Sequence, residues 1–233
     1  MSELVFDKII ESKDIETMFE GEISNEIKIF VSNLNLRYRL LSNDEISLHR
    51  NKYLDFIDRE IIPSGPKRQK VWEKGWGQNL SDVLEDGLSS KTLLPYYYRN
   101  GAAVMRYKGK FILPEDDNFE TKFLSIIQFV LSTKYFEKFS NIYELGCGPC
   151  HNTFEFALRT KNKNFFVTDW ASSSLELANI IEKNKSQFGL DTHTFTSNFF
   201  NLFEPDQSYK LKSNSILLTF GSMEQLGEDI QSL

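Results

Sequence analysis

The chain has 233 residues, 40% of them hydrophobic and 20 of them phenylalanine, enough for one large domain or two small ones with a substantial core. A net charge of −6 and an isoelectric point near 5.3 weigh against a nucleic-acid backbone as the main partner. No apolar run approaches the ~20 residues that span a bilayer, and Met1-Ser2-Glu3-Leu4 has no basic stretch ahead of an apolar one, so a cytoplasmic protein is expected.

Residues 1–60 read as helical and charged. Within them, Glu16–Leu36 spaces Met18, Phe19, Ile23, Ile27, Phe30, Val31 and Leu34 at helical intervals. Pro63-Ser64-Gly65-Pro66 is the clearest break in the chain. A region rich in aromatics and glycine follows, from Val71-Trp72-Glu73-Lys74-Gly75-Trp76 through Leu94-Pro95-Tyr96-Tyr97-Tyr98-Arg99 to Met105-Arg106-Tyr107. Here Arg99 and Arg106, set among Tyr96, Tyr97, Tyr98 and Tyr107, either clamp a carboxylate or phosphate or lie on the surface packed against rings. Trp72 and Trp76 either roof a pocket or pack one region on another. Lys108-Gly109-Lys110 suits a turn between two short extended segments, and Phe119–Phe136 reads as a helix with Phe123, Ile126, Ile127, Val130 and Leu131 inward. A composition rich in lysine, asparagine, isoleucine, phenylalanine and serine suggests an AT-rich bacterial genome.

The most informative stretch is Asn141-Ile-Tyr-Glu-Leu-Gly-Cys-Gly-Pro-Cys-His-Asn152. A short strand, Asn141–Leu145, enters a turn holding Gly146 and Gly148, and an amphipathic helix starts near His151. Such glycines permit left-handed φ values and close approach of backbone to a ligand, or they are plain turn glycines. Pro149 and Cys150 replace the third glycine of the dinucleotide pattern, which counts against a pyrophosphate ligand. Asp169 follows a second strand, Asn164–Thr168, where an acid can accept both hydroxyl protons of a ribose or cap the helix that follows; Ser172 or Ser173 serves equally well as that cap. Trp170 beside it either stacks on a base or joins the core. Helix Ser173–Phe188, strand Thr192–Thr196 with Asn198-Phe199-Phe200 after it, and strand Ser215–Phe220 complete the pattern. This alternation predicts an α/β fold with a parallel, doubly wound sheet.

Cys147 and Cys150 have Cys-x-x-Cys spacing, which admits redox chemistry. That reading leaves Gly146, Gly148 and Asp169 without a use. No metal is expected, because zinc would need two further ligands and only His49, His151 and His193 are on offer.

The run over residues 120–233 resembles class I S-adenosylmethionine-dependent methyltransferases. Glu144-Leu145-Gly146-Cys147-Gly148 matches their first glycine motif, Asp169-Trp170 their ribose and adenine contact, and Asn198-Phe199 their contact to the adenine edge. The resemblance implies a Rossmann-like domain over 119–233 behind a mainly helical, aromatic-rich cap or substrate region, 1–118. It implies S-adenosyl-L-methionine as cofactor and S-adenosyl-L-homocysteine as product. Glu144, Gly146, Cys147, Gly148, Asp169, Trp170, Asn198, Phe199, Phe220 and Gly221 would hold that cofactor. Asn198 stands where many relatives have aspartate, and an Asx turn is its alternative.

The aromatic segment resembles the N-terminal part of bacterial methyltransferases from surface-polysaccharide (capsule) clusters, in which the Trp-Glu-Lys-Gly-Trp phrase recurs. Cys150-His151-Asn152 departs from their Gly-His-Asn at its first position. This implies O-methylation of a small polar or anionic precursor: a sugar, a nucleotide-linked or a phosphate-bearing group. His151 and Glu224 are the candidate bases, His151 having a backbone-bonding alternative at the helix start. Tyr97, Arg99, Arg106 and Trp76 are candidates near the substrate or the cofactor carboxylate. The competing readings are a non-catalytic binding module of the same fold and an NAD-dependent oxidoreductase. Class I methyltransferases usually carry three more strands after the fourth, so an exposed sheet edge is expected here, covered by a homodimer partner or a longer natural chain.

Overall fold

The computed structural model describes residues 5–57, 65–99, 101 and 104–226. Pro63 and Ser64 of the expected break lie outside the described residues. In chain order the elements are β1 (Lys8–Ile9), α1 (Ser12–Met18), α2 (Asn25–Ser32), β2 (Arg37–Leu40), α3 (Asn43–Ile57), α4 (Gln69–Asp86), α5 (Ser90–Leu93), β3 (Met105–Tyr107) and β4 (Lys110–Pro114). Then come α6 (Phe119–Val130), β5 (Asn141–Leu145), α7 (His151–Leu158), β6 (Asn164–Asp169), α8 (Ser172–Asn184), β7 (Thr194–Phe199) and β8 (Ser215–Thr219). They form two compact units: residues 1–61 with 97–130, and residues 62–96 with 131–233. The boundary expected at 118/119 falls inside the first unit, which takes α6, while the Trp72–Trp76 segment belongs to the second.

The first unit is more than helical. It contains an antiparallel sheet of order β1-β2-β4-β3. Lys108 (φ 48°) and Gly109 (φ 76°) turn the β3–β4 hairpin, with Tyr107 opposite Lys110. Two successive positive φ values match the right-handed twist of the strands they join. The expected continuous helix Glu16–Leu36 is two helices. Glu20 (φ 49°) ends the first, and the Ser24 hydroxyl accepts the Ile27 N–H at 3.3 Å to start the second. The apolar spacing survives the break because both helices turn Ile15, Ile27 and Val31 into one core with Leu36, Ile112, Phe119 and Ile126. The helix expected over Phe119–Phe136 is α6 to Val130, then a π-helical turn Leu131–Tyr135 and a 3-10 turn.

The second unit carries a four-stranded sheet of order β7-β6-β5-β8, every pair parallel. In chain order this is 3-2-1-4, with the carboxyl ends aligned: Leu145 lies opposite Thr168 and Thr219, and Asp169 opposite Phe199. β5 and β6 are buried almost throughout, as central parallel strands must be when both faces are covered. Phe136, Phe154, Phe156, Phe165, Leu177 and Ile181 form the core around them. The third strand starts two residues later than expected, because His193 is drawn into the preceding turn, where its Nδ1 accepts the Lys163 N–H at 3.1 Å. It then runs through Asn198 and Phe199. Among the described residues β8 pairs only with β5, and its Leu217 is 47% exposed.

Candidate functional site

The site is built where β5 enters the glycine turn. The N–H groups of Gly146 and Cys147 both donate to the Thr168 carbonyl, at 2.8 and 2.9 Å, tying the turn to the end of β6. Gly146 has φ 71°, and a Cβ there would lie 2.5 Å from the Ser222 Cβ. Ser222 comes this close because its hydroxyl donates to the Leu145 carbonyl at 2.8 Å, closing the end of β8 onto the end of β5. Gly148 has φ 53°, and a Cβ there would stand 3.1 Å from the Trp76 indole. Both glycines are therefore required by protein neighbours.

Cys150 is the N-cap residue of α7 and takes φ 59°, a left-handed value that costs a residue with a Cβ roughly 1–3 kcal/mol. The Cys147 and Cys150 sulfurs lie 3.5 Å apart as buried thiols. Cys150 and burial together push the Cys147 thiol well up. Redox cysteines need the opposite, a lowered pKa and access.

Two acids flank the turn. Glu144 is 1% exposed and accepts a hydrogen bond from the Thr153 hydroxyl and one from Asn152 Nδ2 at 3.3 Å. Burial pushes its carboxyl up to about 7 against those donors, with Asp169 adding to the rise. Asp169, 4% exposed, accepts the Gly148 N–H at 2.8 Å and the Ala171 N–H at 2.9 Å. Burial raises it to about 6 despite these amides and that of Trp170. Asp169 thus holds the glycine turn against the start of α8, spending most of its acceptor capacity within the protein. Among the described residues neither carboxylate forms an ion pair; amides and a hydroxyl are their donors.

Ser172 and Ser173, the expected caps, lie inside α8 and are themselves gripped by α4. The Glu73 carboxylate accepts the Ser172 N–H at 2.7 Å, the Ser172 hydroxyl at 2.8 Å and the Ser173 N–H at 3.0 Å. Burial works to raise this carboxyl, but those donors outweigh it and hold it below the usual range. A negative charge there also meets the positive end of the α8 dipole. Trp72, next to Glu73, and Trp76, about one turn on, stack with centroids 5.3 Å apart, and the Arg68 guanidinium lies 4.9 Å over Trp72. α4 roofs the glycine turn.

The other expected residues divide into two groups. Trp170 is half-buried with its ring tilted on Phe203 at 5.1 Å. Asn198 reaches the Tyr209 hydroxyl, and Phe199 is 62% exposed at the end of β7. Phe220 and Gly221 (φ 75°) follow β8. His151 opens α7, 6% exposed, with the Glu155 charge acting on it from one turn on. Glu224 lies in a 3-10 turn, Met223–Gln225, its side chain outside the described residues. Tyr97, Arg99 and Arg106 belong to the first unit, where Arg106 lies over Phe111 at 5.9 Å. Glu73, Thr153 and Ser222 were not foreseen as site residues. Their contacts span 99, 9 and 77 positions, and only the Glu144–Thr153 pair is close enough in sequence to leave a local sign.

Among the described residues no helix is long and apolar enough to cross a membrane, and no three His, Cys, Asp or Glu side chains converge as a metal-binding group. No protein-family model, no curated protein and no solved structure matches the chain.

Proposed function

We propose that the second unit binds S-adenosylmethionine at the glycine turn and serves O-methylation of a small polar or anionic acceptor in the cytoplasm. The observation that carries this reading is the pair of buried acids, Glu144 and Asp169, at adjacent carboxyl ends of a 3-2-1-4 parallel sheet, with no cation beside either among the described residues. Ligands of such sheets lie outside those strand ends. A site lined by uncompensated acids favours a ligand carrying ammonium and sulfonium charge and disfavours a pyrophosphate. This weighs against the oxidoreductase alternative.

In this reading Glu144 takes the amino group of the ligand, and the turn Gly146-Cys147-Gly148 backs its methionine part. Asp169 uses its remaining lone-pair capacity, out of about four sites on a carboxylate, for a ribose hydroxyl. Trp170, Asn198 and Phe199 border the base, and Phe220-Gly221 border the acceptor side. The cofactor supplies an activated methyl carbon, and the protein's part is chiefly to position the reactants, worth ~7–11 kcal/mol at best. His151, buried at the start of α7 just after the glycine turn, is one proposed base. Glu224 is the second proposed base. The acceptor class, a sugar, nucleotide-linked or phosphate-bearing precursor of a bacterial surface glycan, rests on the resemblance around Trp72–Trp76.

One observation favours a second reading, a non-catalytic binding module. Ser222 and Trp76 already account for Gly146 and Gly148, so the turn would exist without a ligand. Titration calorimetry of the full chain with S-adenosylmethionine and S-adenosylhomocysteine decides. Binding of both is expected; a folded protein that binds neither is a scaffold.

A further inference from the structure

We infer that α4 is a hinged lid, in which Gly75-Trp76-Gly77 is the hinge that lets Trp76 leave Gly148 and Glu73 is the latch that holds the lid shut. The helix has 18 residues, and these two glycines sit inside it, where glycine is among the poorest helix formers. Packing does not demand them. A Cβ at Gly75 or at Gly77 would meet nothing within 4 Å among the described residues, and neither has a positive φ. A feature that weakens a helix without helping it pack is a place for the helix to bend.

The halves on either side of the hinge are held differently. Beyond it, Asn79 is fully buried and its Nδ2 donates to the Thr92 and Leu94 carbonyls, both at 2.9 Å, while Val83 enters the core. Before it, no residue is fully buried, and the hydrogen bonds that tie it down are exposed or half-buried. Arg68 Nη1 donates to Gln225 Oε1 at 3.1 Å, Gln69 Nε2 to the Trp170 carbonyl at 3.3 Å, and Glu73 holds Ser172 and Ser173. An anchored half and a latched half meet at the residue whose indole covers the glycine turn. Segments that open locally are those held by exposed hydrogen bonds rather than by buried apolar contact. Release of Glu73 uncaps α8, lifts Trp76 and bares Gly148 with its bond to Asp169.

Opening is a property of the second unit whatever it binds; only the ligand probe below rests on the methyltransferase reading. Three forms of the full chain are compared: wild type, the double variant Gly75→Ala with Gly77→Ala, and Glu73→Gln. The space around both glycines admits the alanines, and a raised melting temperature confirms that the double variant folds. In ligand-free protein, amide hydrogen exchange over residues 69–77 and at Gly148 is expected to slow roughly tenfold or more in the alanine variant, whose straight helix is favoured. It is expected to quicken in Glu73→Gln. All three tryptophans of the chain, Trp72, Trp76 and Trp170, lie at this site, so stopped-flow tryptophan fluorescence reads the lid directly. With S-adenosylhomocysteine as probe, the alanine variant should associate and dissociate more slowly by similar factors, leaving Kd little changed.

Unchanged exchange in both variants overturns the hinge. Unchanged exchange combined with lost affinity in the alanine variant also overturns it, and assigns the glycines to close approach of the ligand. If wild type fails to bind S-adenosylhomocysteine, the methyltransferase reading falls and the exchange measurement still decides the lid.

Discussion

Replacing Glu144 with glutamine should make the second unit more stable at pH 8 and leave it nearly unchanged at pH 5. The carboxyl is fully buried, and burial lifts it from 4.5 to about 7 in the fold. An acid whose folded pKa lies above its unfolded value favours folding in its protonated form. Its full contribution is present below about pH 4.5 and is lost progressively as pH rises to about 7. Above that, the fold carries an uncompensated buried charge at a cost of about 3.5 kcal/mol, from two and a half pKa units at about 1.4 kcal/mol each. Glutamine removes the charge and keeps the shape. Its carbonyl can accept from Asn152 and its amide can donate to the Thr153 hydroxyl, so both existing partners stay engaged. For a protein of this size the gain corresponds to a rise of roughly 7–14 °C in Tm at pH 8. Urea titrations followed by tryptophan fluorescence report this unit alone, since Trp72, Trp76 and Trp170 all lie in it. The wild-type midpoint should fall from pH 5 to pH 8. In E144Q the residual slope should be confined to the range below about 6, where Asp169 titrates. An E144Q protein that keeps the wild-type slope up to pH 8, or is less stable there, refutes the reasoning. On the proposed function the same variant loses affinity for S-adenosylmethionine, because the destabilising charge is the one that meets the ligand's ammonium.

Asp169→Ala strips acceptors from the Gly148 and Ala171 amides and should destabilise the unit by ~1–3 kcal/mol; on the proposed function it also abolishes most S-adenosylmethionine binding by calorimetry, and a folded variant with wild-type affinity removes the ribose assignment. Gly146→Ala should cost ~2 kcal/mol or more, from a φ of 71° and a Cβ driven to 2.5 Å from Ser222. Adding Ser222→Gly should recover part of that loss in denaturant melts, and strict additivity of the two changes would show that the contact is not the cause. Native protein should react with a thiol reagent far more slowly than unfolded protein at both Cys147 and Cys150, and rapid labelling of either in the native state would restore a redox role.

The parts of the second unit that were legible in the sequence are those written locally. Asn141–Leu145 is a strand of the expected length because it is apolar and bounded by Gly146, and α7 starts at His151 because the turn can go no further. Asp169 was legible as an acid at a strand end. Its double hold on Gly148 and Ala171 was not, because that depends on β5 and β6 lying side by side. Glu73 reads as one charge in an aromatic helix until α4 is set against α8, 99 positions away. The first unit was the least legible. Arg37–Leu40 is too short and too polar to announce a strand, and it exists because Phe111–Pro114, far along the chain, supplies its partner.

The interleaving of the two units has a consequence for how the chain comes together. The backbone passes between them at 61/62, 96/97 and 130/131, so each unit is made of two separated stretches. β2 cannot pair with β4, Tyr38 against Pro114, until the whole of residues 62–96 has been looped out, and those residues carry the lid. Contacts of such sequence separation close slowly. During synthesis the first unit must wait for residues 97–130 to emerge, and the second must wait longer still for its sheet. A cut at 61/62 leaves all of the second unit on one fragment and a cut at 130/131 all of the first, each still carrying a stretch of the other, so the second would be obtained alone only from a gene that joins residues 62–96 directly to residue 131 onward.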